Sequence, residues 1–512
     1  MAVKKVVVKK MTANSESELV NVDKLSQQLG VAFGTSGVRG LVKDLTPELC
    51  FAYTASFLQV ICPTAKCVAI GMDLRPSSPE IAKACIIAAK AADIEVINCG
   101  TLPTPALAYY AMQNNIPAVM ITGSHIPFDR NGIKFYRPDG EISKADEASI
   151  MAGQVSISGT LLAQVTQSEL PQVNEQAIAL FKQRYIDLFP ASMLTGKRIG
   201  VYEHSSVARD VIKELLVHFG AEVISLERTD TFVPIDTEAV SVEDKQKGLD
   251  WAKTHNLDAI ISTDGDGDRP LIANEHGEWL RGDILGVLCA DYLGATHVAA
   301  PVNVNTVLEL RSEFQSPKRK TLRTKIGSPY VIAGMETLLK ETPQARVVGY
   351  EANGGFLVGA NFVVNGEILH ALPTRDSLLP SLIVLAMSLE QMRPISQLSL
   401  ELSSRFTASD RIKNISTKKS DNLIKKIKFN ETKKNEFLSH INFLLSDFES
   451  LEIVSIDETD GFRILLNNGD IVHMRPSGNA PELRFYCEVG VKDKEKYLIE
   501  NIVEYFSKEL DS

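Results

Sequence analysis

The chain has 512 residues, which at about 100–200 residues per domain predicts three or four domains. Its 44% apolar and 23% charged residues are those of a soluble globular protein, and a formal charge of −10 excludes a general nucleic-acid binder while allowing local basic clusters for small anions. No apolar run approaches the roughly 20 residues of a membrane span, and the basic start, residues 1–10, lacks a signal peptide's apolar stretch, so residues 1–30 read as an extension on a cytoplasmic protein with no membrane partner.

Residues 67–73 read as a strand ending in a polar loop, followed by a helix over 78–92 and a strand over 94–99. The apolar run 116–121 then leads into Thr122-Gly-Ser-His-Ile-Pro127. The pattern restarts with a strand at 197–203, a helix over 208–219, a strand at 222–226, a helical stretch at 251–256 and a buried run at 257–262. A third round has a strand at 296–302, a helix over 307–314 and a strand at 345–350. This alternation predicts three related α/β domains with mixed, mainly parallel sheets. In each, a polar Gly-rich loop follows the carboxyl end of a strand, where open α/β sheets place ligands. After residue 400 the texture changes. The lysine-rich run 418–428 reads as a solvated helix face, and 451–489 alternates apolar and polar residues, predicting antiparallel strands in a final α+β domain. Seven cysteines, an odd number with no C-x-x-C pair, read as reduced buried thiols rather than disulfides or a zinc site.

Ser124 places a hydroxyl at the end of a buried strand with His125, Arg130 and Lys134 close behind, a setting for a nucleophile or phosphate carrier. Ser and Gly also meet in loops for turn geometry alone. Asp264, Asp266 and Asp268 alternate through a Gly-rich turn and offer three hard oxygens suited to Mg²⁺ or Ca²⁺. An EF-hand is the rival, with Glu275 at its twelfth position, but Arg269 stands where that loop needs Gly and the preceding run is strand-like. A metal-free acidic turn would leave three carboxylates repelling one another. In Arg475-Pro-Ser-Gly-Asn-Ala-Pro-Glu-Leu-Arg484 two arginines flank a turn able to surround a phosphate; a hairpin with surface arginines is the alternative. Glu351 and Asn353 could bond adjacent sugar hydroxyls, or sit in an ordinary turn. Phe33-Gly-Thr-Ser-Gly-Val-Arg-Gly40 adds a cation, Arg39, and no nucleotide-binding glycine motif occurs.

Together these loops resemble the α-D-phosphohexomutase family, the phosphomannomutase and phosphoglucomutase enzymes. Its phosphoserine loop is usually T-A-S-H-N-P, and Thr122 to Pro127, continued by Asn131-Gly-Ile-Lys134, looks like it. Gly34-Thr-Ser-Gly-Val-Arg-Gly40 and Gly71-Met-Asp-Leu-Arg-Pro-Ser-Ser-Pro79 resemble further signatures, and the matches run in family order from residue 33 to 488. The resemblance implies domains at 31–172 (phosphoserine), 173–290 (metal), 291–400 (sugar) and 401–512 (phosphate) around a central cleft. It implies Ser124 as phosphoryl carrier, with one Mg²⁺ held by Asp264, Asp266, Asp268 and a phosphoserine oxygen. Arg39, Lys134 and Arg269 would offset charge on the moving phosphoryl group, with His125 beside it, and Lys134 would move a proton or stabilise the attacked oxygen. Glu351, Asn353 and Gly354 would hold the sugar, and Arg475, Ser477, Gly478, Asn479 and Arg484 the phosphate that is not reacting.

The expected reaction interconverts hexose 6- and 1-phosphates, mannose 6-phosphate to mannose 1-phosphate first, with a hexose 1,6-bisphosphate as intermediate and activator in a monomer or homodimer. Glucose and glucosamine phosphates are the alternative substrates. Ser36 and Asn353 argue against the glucosamine subclass, which usually carries Asp in the first loop. A non-catalytic sugar-phosphate-binding paralogue would need a damaged loop, yet Ser124, Lys134 and the aspartates are all present. A simple phosphatase would not need the second phosphate loop. Four positions depart from the motifs: Gly123 for Ala, predicting a looser loop; Ile126 for Asn; Asn353 for Ser; and Gly355 for His in the sugar loop.

Overall fold

The computed structural model describes residues 17–511 except 35, 314–317, 403, 446–450 and 478–480. The chain forms two compact units, one reaching to Phe33 and running from Gly37 to Phe181, the other comprising Gly34–Ser36 and the chain from Lys182.

The first unit is built on a sheet in the order Ala32–Phe33, Val38–Leu41, Arg130–Arg137, Ala118–Ile121, Cys67–Met72, Glu95–Thr101. The last three strands are parallel, and Arg130–Arg137 is antiparallel to both its neighbours. Side chains alternate across the sheet. Val68, Ile70 and Met72 enter one core with helices Pro47–Val60 and Ser78–Ala91. On the other face a Cβ at Gly71 would stand 2.4 Å from Leu102 Cδ2 and 3.2 Å from Leu107 Cδ2, where helix Thr104–Gln113 packs. Within the segment expected as an extension, Ser17–Asn21 pairs with Gln154–Ser158, and Val22 on helix Val22–Leu29 is fully buried.

In the second unit, one sheet runs Glu222–Arg228, Arg198–His204, Ala259–Thr263, Pro270–Ala273, and another Lys320–Thr324, His297–Pro301, Val347–Tyr350, Phe356–Val358, Leu372–Asp376. Both repeat the first unit's scheme: three parallel strands, then an antiparallel neighbour reached through a short hairpin. The α/β reading stands, with sheets mixed because each polar loop turns the chain straight back. The joining pairs are Ile121 with Ile133, Thr263 with Pro270 and Tyr350 with Phe356. The serine, aspartate and Glu351 loops are therefore the same structural element.

The last sheet is fully antiparallel, in the order Phe406–Lys413, Glu482–Val489, Ile471–Pro476, Phe462–Leu466, Ile453–Asp457. Helices Thr417–Phe429, Glu431–Leu445 and Lys494–Asp511 close its core. Leu423, Ile424 and Ile427 are buried there while Lys418, Lys419, Lys425 and Lys426 are exposed, so the lysine run is a solvated helix face. All seven cysteines are free, and all but Cys67 are buried. Among the described residues no helix is long and apolar enough to cross a membrane.

Candidate active site

Ser124 sits at the turn between Ala118–Ile121 and Arg130–Arg137, 1% exposed, with φ of 53°. A side chain other than glycine in this left-handed region costs roughly 1–2 kcal/mol, so the loop must be held there by its surroundings. Its N–H donates to Thr122 Oγ1 at 2.8 Å, and its Oγ lies 3.3 Å from His125 Nδ1.

The main support is Arg75, buried beneath the loop. Nη2 donates to the carbonyls of Ser124 (2.8 Å) and Ile126 (2.6 Å), and Nη1 to those of Pro127 (2.8 Å) and Arg130 (2.9 Å). Nε donates to Asp73 Oδ2 at 3.1 Å, so all five guanidinium donors are engaged. Burial raises the Asp73 carboxyl above its ordinary range, and Arg75 beside it opposes the rise. Gly123 does not loosen this loop as expected. A Cβ there would come 2.6 Å from Arg75 Cζ, so glycine gives the guanidinium its place. Ile126 contributes its carbonyl instead of the motif's amide side chain.

Lys134 lies on the returning strand opposite Met120 and is buried, and Arg39 pairs in register with Gly132 on the same strand. Gly37, with φ of 76°, admits Lys134 closely: a Cβ there would stand 3.1 Å from Lys134 Cγ. The first unit thus gathers Ser124, His125, Lys134 and Arg39 at three neighbouring strands, Val38–Leu41, Arg130–Arg137 and Ala118–Ile121.

In the second unit Asp264, Asp266 and Asp268 are all buried, with one ligand oxygen of each within 4.8 Å of the others. Gly267 adopts φ of 68° at the turn, and Asp264 Oδ1 accepts from the N–H groups of Asp268 and Arg269 at 3.2 and 3.3 Å. Arg269 Nε stands 3.8 Å from Asp264 Oδ2 and 3.7 Å from Asp268 Oδ1. A second guanidinium, Arg375, reaches Asp268 Oδ2 at 3.1 Å. Three buried carboxylates against two guanidiniums leave excess negative charge, and their hard oxygens suit a divalent cation. The loop joins two strands rather than two helices, which removes the EF-hand reading.

The sugar-loop candidates lie alongside. Glu351 is buried, and its N–H donates to the Gly355 carbonyl at 3.0 Å. Asn353 Oδ1 accepts from the Gly355 N–H at 2.9 Å and its carbonyl from Thr237 Oγ1 at 2.7 Å, so Asn353 shapes the turn. Gly354, at φ of 88°, passes close to the metal loop: a Cβ would stand 3.0 Å from Pro270 Cγ.

In the last sheet Arg475 and Arg484 are direct cross-strand partners, and the Ser477 N–H donates to the Glu482 carbonyl at 2.8 Å. Gly478 and Asn479 lie outside the described residues. Arg475 Nη1 stands 3.5 Å from Asp460 Oδ2, and Arg484 Nη2 3.3 Å from Glu482 Oε2. Arg484 also lines a cavity with Asp236, Glu238, Arg411 and Tyr486. Burial raises the Glu238 carboxyl above its ordinary range, against the pull of Arg484 and Arg269. Sequence reading missed Glu238, Arg75 as the loop's support, and Arg375. No sequence signal marked Arg375, which stands between Thr374 and Asp376 in a polar run.

Behind Arg475, His473 is buried; its Nε2–H donates to the Asp460 carbonyl at 2.6 Å, and Nδ1 has no hydrogen-bond partner among the described residues. Burial pushes the imidazole down to about 4, from an unfolded value of about 6.5. Between those values the unfolded chain binds the extra proton, so stability falls as pH drops through that window. The thermal midpoint is expected to fall between about pH 7 and about pH 5, and less steeply in His473→Gln. Identical pH profiles for the two proteins, measured by circular dichroism, would contradict this.

Residues 30–157 match the phosphoglucomutase/phosphomannomutase alpha/beta/alpha domain I, residues 281–406 its domain III and residues 425–504 its C-terminal domain. A phosphomannomutase of Salmonella muenchen is 48% identical over 476 residues, 93% of this chain and 95% of the relative. One of Sinorhizobium fredii (strain NBRC 101917 / NGR234) is 40% identical over 479 residues, 92% of this chain and 98% of the relative. A solved phosphoglucomutase/phosphomannomutase family protein of Burkholderia thailandensis shares the fold with a TM-score of 0.68 at 17% identity, covering 93% of this chain and 97% of its own.

Proposed function

This chain belongs to the phosphoglucomutase/phosphomannomutase family as an isomerase of hexose phosphates, and we propose that it converts mannose 6-phosphate to mannose 1-phosphate through a phosphoserine at Ser124. The observation carrying the reading is the shared placement of three loops. A carrier hydroxyl, a buried aspartate triad and a buried Glu351 each occupy the hairpin that follows the last parallel strand of a sheet. The segments 31–172, 173–290, 291–400 and 401–512 are the domains in this reading, in a cytoplasmic monomer or homodimer with no nucleic-acid or membrane partner.

A sugar hydroxyl oxygen of the bound hexose phosphate attacks the phosphorus on Ser124. The bond from phosphorus to Ser124 Oγ breaks, and a hexose 1,6-bisphosphate forms. Lys134, buried on the returning strand, moves the hydroxyl proton or stabilises the oxygen as charge develops. The sugar then turns end for end, and the other phosphate passes back to Ser124 Oγ. Arg475, Ser477, Gly478, Asn479 and Arg484 hold the phosphate that is not reacting, as charge-assisted donors do. Glu351 and Asn353, with Gly354 giving close backbone approach, orient the ring in either direction. Asp264, Asp266 and Asp268 would hold Mg²⁺, which when bound supplies positive charge to the transferring phosphoryl oxygens. Arg39 and Arg269 add fixed positive charge, with His125 next to the carrier hydroxyl.

The test is a paired assay with mannose 1-phosphate, glucose 1-phosphate and glucosamine 1-phosphate, each primed by its bisphosphate with Mg²⁺ present. Mannose 1-phosphate is expected to give the highest kcat/KM. Absence of turnover with every hexose phosphate, in folded protein, contradicts the proposal.

A further inference from the structure

Arg375 lies in none of the motifs that carry the family resemblance. It stands on strand Leu372–Asp376, 4% exposed, and its guanidinium serves two loops at once. Nε donates to Asp268 Oδ2 and Nη1 to Glu351 Oε2, each at 3.1 Å. Both carboxylates are buried, so neither bond is screened by water. The arginine stem runs against Gly355: a Cβ there would come within 2.5 Å of Arg375 Cδ and 2.6 Å of Cγ. Gly355 is absent from the positive-φ residues, so glycine serves here for room and not for backbone conformation.

We propose that Arg375 is a positioning and specificity-determining residue that ties a carboxylate of the aspartate triad to the sugar-loop carboxylate. Its fork fixes Asp268 by one oxygen and Glu351 by one oxygen, setting the direction in which the other oxygen of each can act. The roles of the two loops rest on the proposed mutase function; the linkage itself rests on the contacts. A lysine cannot reproduce it, because a single ammonium lacks the planar fork that spans two acceptors. The sugar motif usually has a histidine at position 355, and the arginine stem takes that space in this chain.

Two consequences have different signs. Arg375 neutralises part of the triad's charge, so removing it makes the triad a stronger site for a divalent cation. It also releases Glu351 from its fixed direction, so the hexose phosphate is held less well and discrimination between epimers weakens. Loss of folded structure would instead weaken both kinds of binding.

The experiment titrates Mn²⁺ alone into metal-free full-length protein by calorimetry, and separately measures KM and kcat with mannose 1-phosphate and glucose 1-phosphate. For Arg375→Gln, Mn²⁺ is expected to bind about fivefold tighter or more, since a buried like charge has been removed from the site. KM for mannose 1-phosphate is expected to rise about tenfold with a smaller change in kcat, the signature of lost ground-state binding. The ratio of kcat/KM for the two sugars should move toward unity, and Arg375→Lys should restore neither KM nor that ratio. Should Arg375→Gln fail to fold, Gly355→Ala, which pushes the stem aside, is expected to shift KM in the same direction. Unchanged Mn²⁺ affinity with unchanged KM in a folded variant overturns the proposal, and so does parallel weakening of Mn²⁺ and sugar binding. Absence of mutase turnover in the parent would overturn the functional reading instead, while the Mn²⁺ arm would still decide the link to Asp268.

Discussion

Ser124→Ala is expected to lose covalently bound phosphate completely and to reduce turnover by at least about a thousandfold, the scale on which removal of a reacting nucleophile acts. The substitution deletes one oxygen and leaves the loop's supports in place. The Ser124 N–H still donates to Thr122 Oγ1, and the Ser124 carbonyl still accepts from Arg75 Nη2. Alanine meets the same steric cost as serine at φ of 53°, so the thermal midpoint should change little. Intact-mass measurement of the phosphorylated parent and the variant reads the first effect, and the hexose 1-phosphate assay the second. A phosphoryl mass shift that survives the substitution would place the carrier elsewhere.

Arg75→Met is expected to have an effect of similar size on activity by a different route. Removing the guanidinium leaves the carbonyls of Ser124, Ile126, Pro127 and Arg130 without that donor and strips Asp73 of its buried counter-ion. Breaking a buried pair in this way costs about 3–5 kcal/mol. Arg75→Lys retains the charge but cannot supply the fork, so it should retain folded circular dichroism yet lower kcat with little change in KM, as expected when the carrier and not the sugar loops is displaced. Gly123→Ala forces a Cβ to 2.6 Å from Arg75 Cζ and should lower kcat in the same way. Full activity in folded Arg75→Lys would show that the loop holds its left-handed serine without this support.

The strands and the chemistry loops were readable because their patterns are local. Ala118–Ile121, Ala259–Thr263 and Val347–Tyr350 are continuous or nearly continuous apolar runs, and each glycine-containing loop follows its run directly. Arg130–Arg137 escaped because its pattern is broken by Asn131 and Lys134, polar residues buried for what their side chains do. That strand makes the first sheet mixed, and it carries Lys134 back beside the serine loop. The two buried arginines were unreadable for another reason. Arg75 acts through the directions of four backbone carbonyls, which no residue type reveals. Arg375 meets Glu351 across 24 residues, at a hairpin of its own sheet, and Asp268 across 107, on a loop of another sheet, pairings that only the tertiary fold sets. Gly123 and Gly355 read as losses relative to the family motifs. In the structure each makes room for one of these arginines.

The most direct test of the account is a single turnover of the phosphorylated full-length protein with mannose 1-phosphate and Mg²⁺, followed by intact mass of the protein and phosphorus NMR of the sugars. The protein is expected first to lose the mass of one phosphoryl group as mannose 1,6-bisphosphate appears, and then to regain it as mannose 6-phosphate is released. A protein mass that never changes while sugar phosphate turns over, or release of inorganic phosphate in place of the bisphosphate, would contradict it.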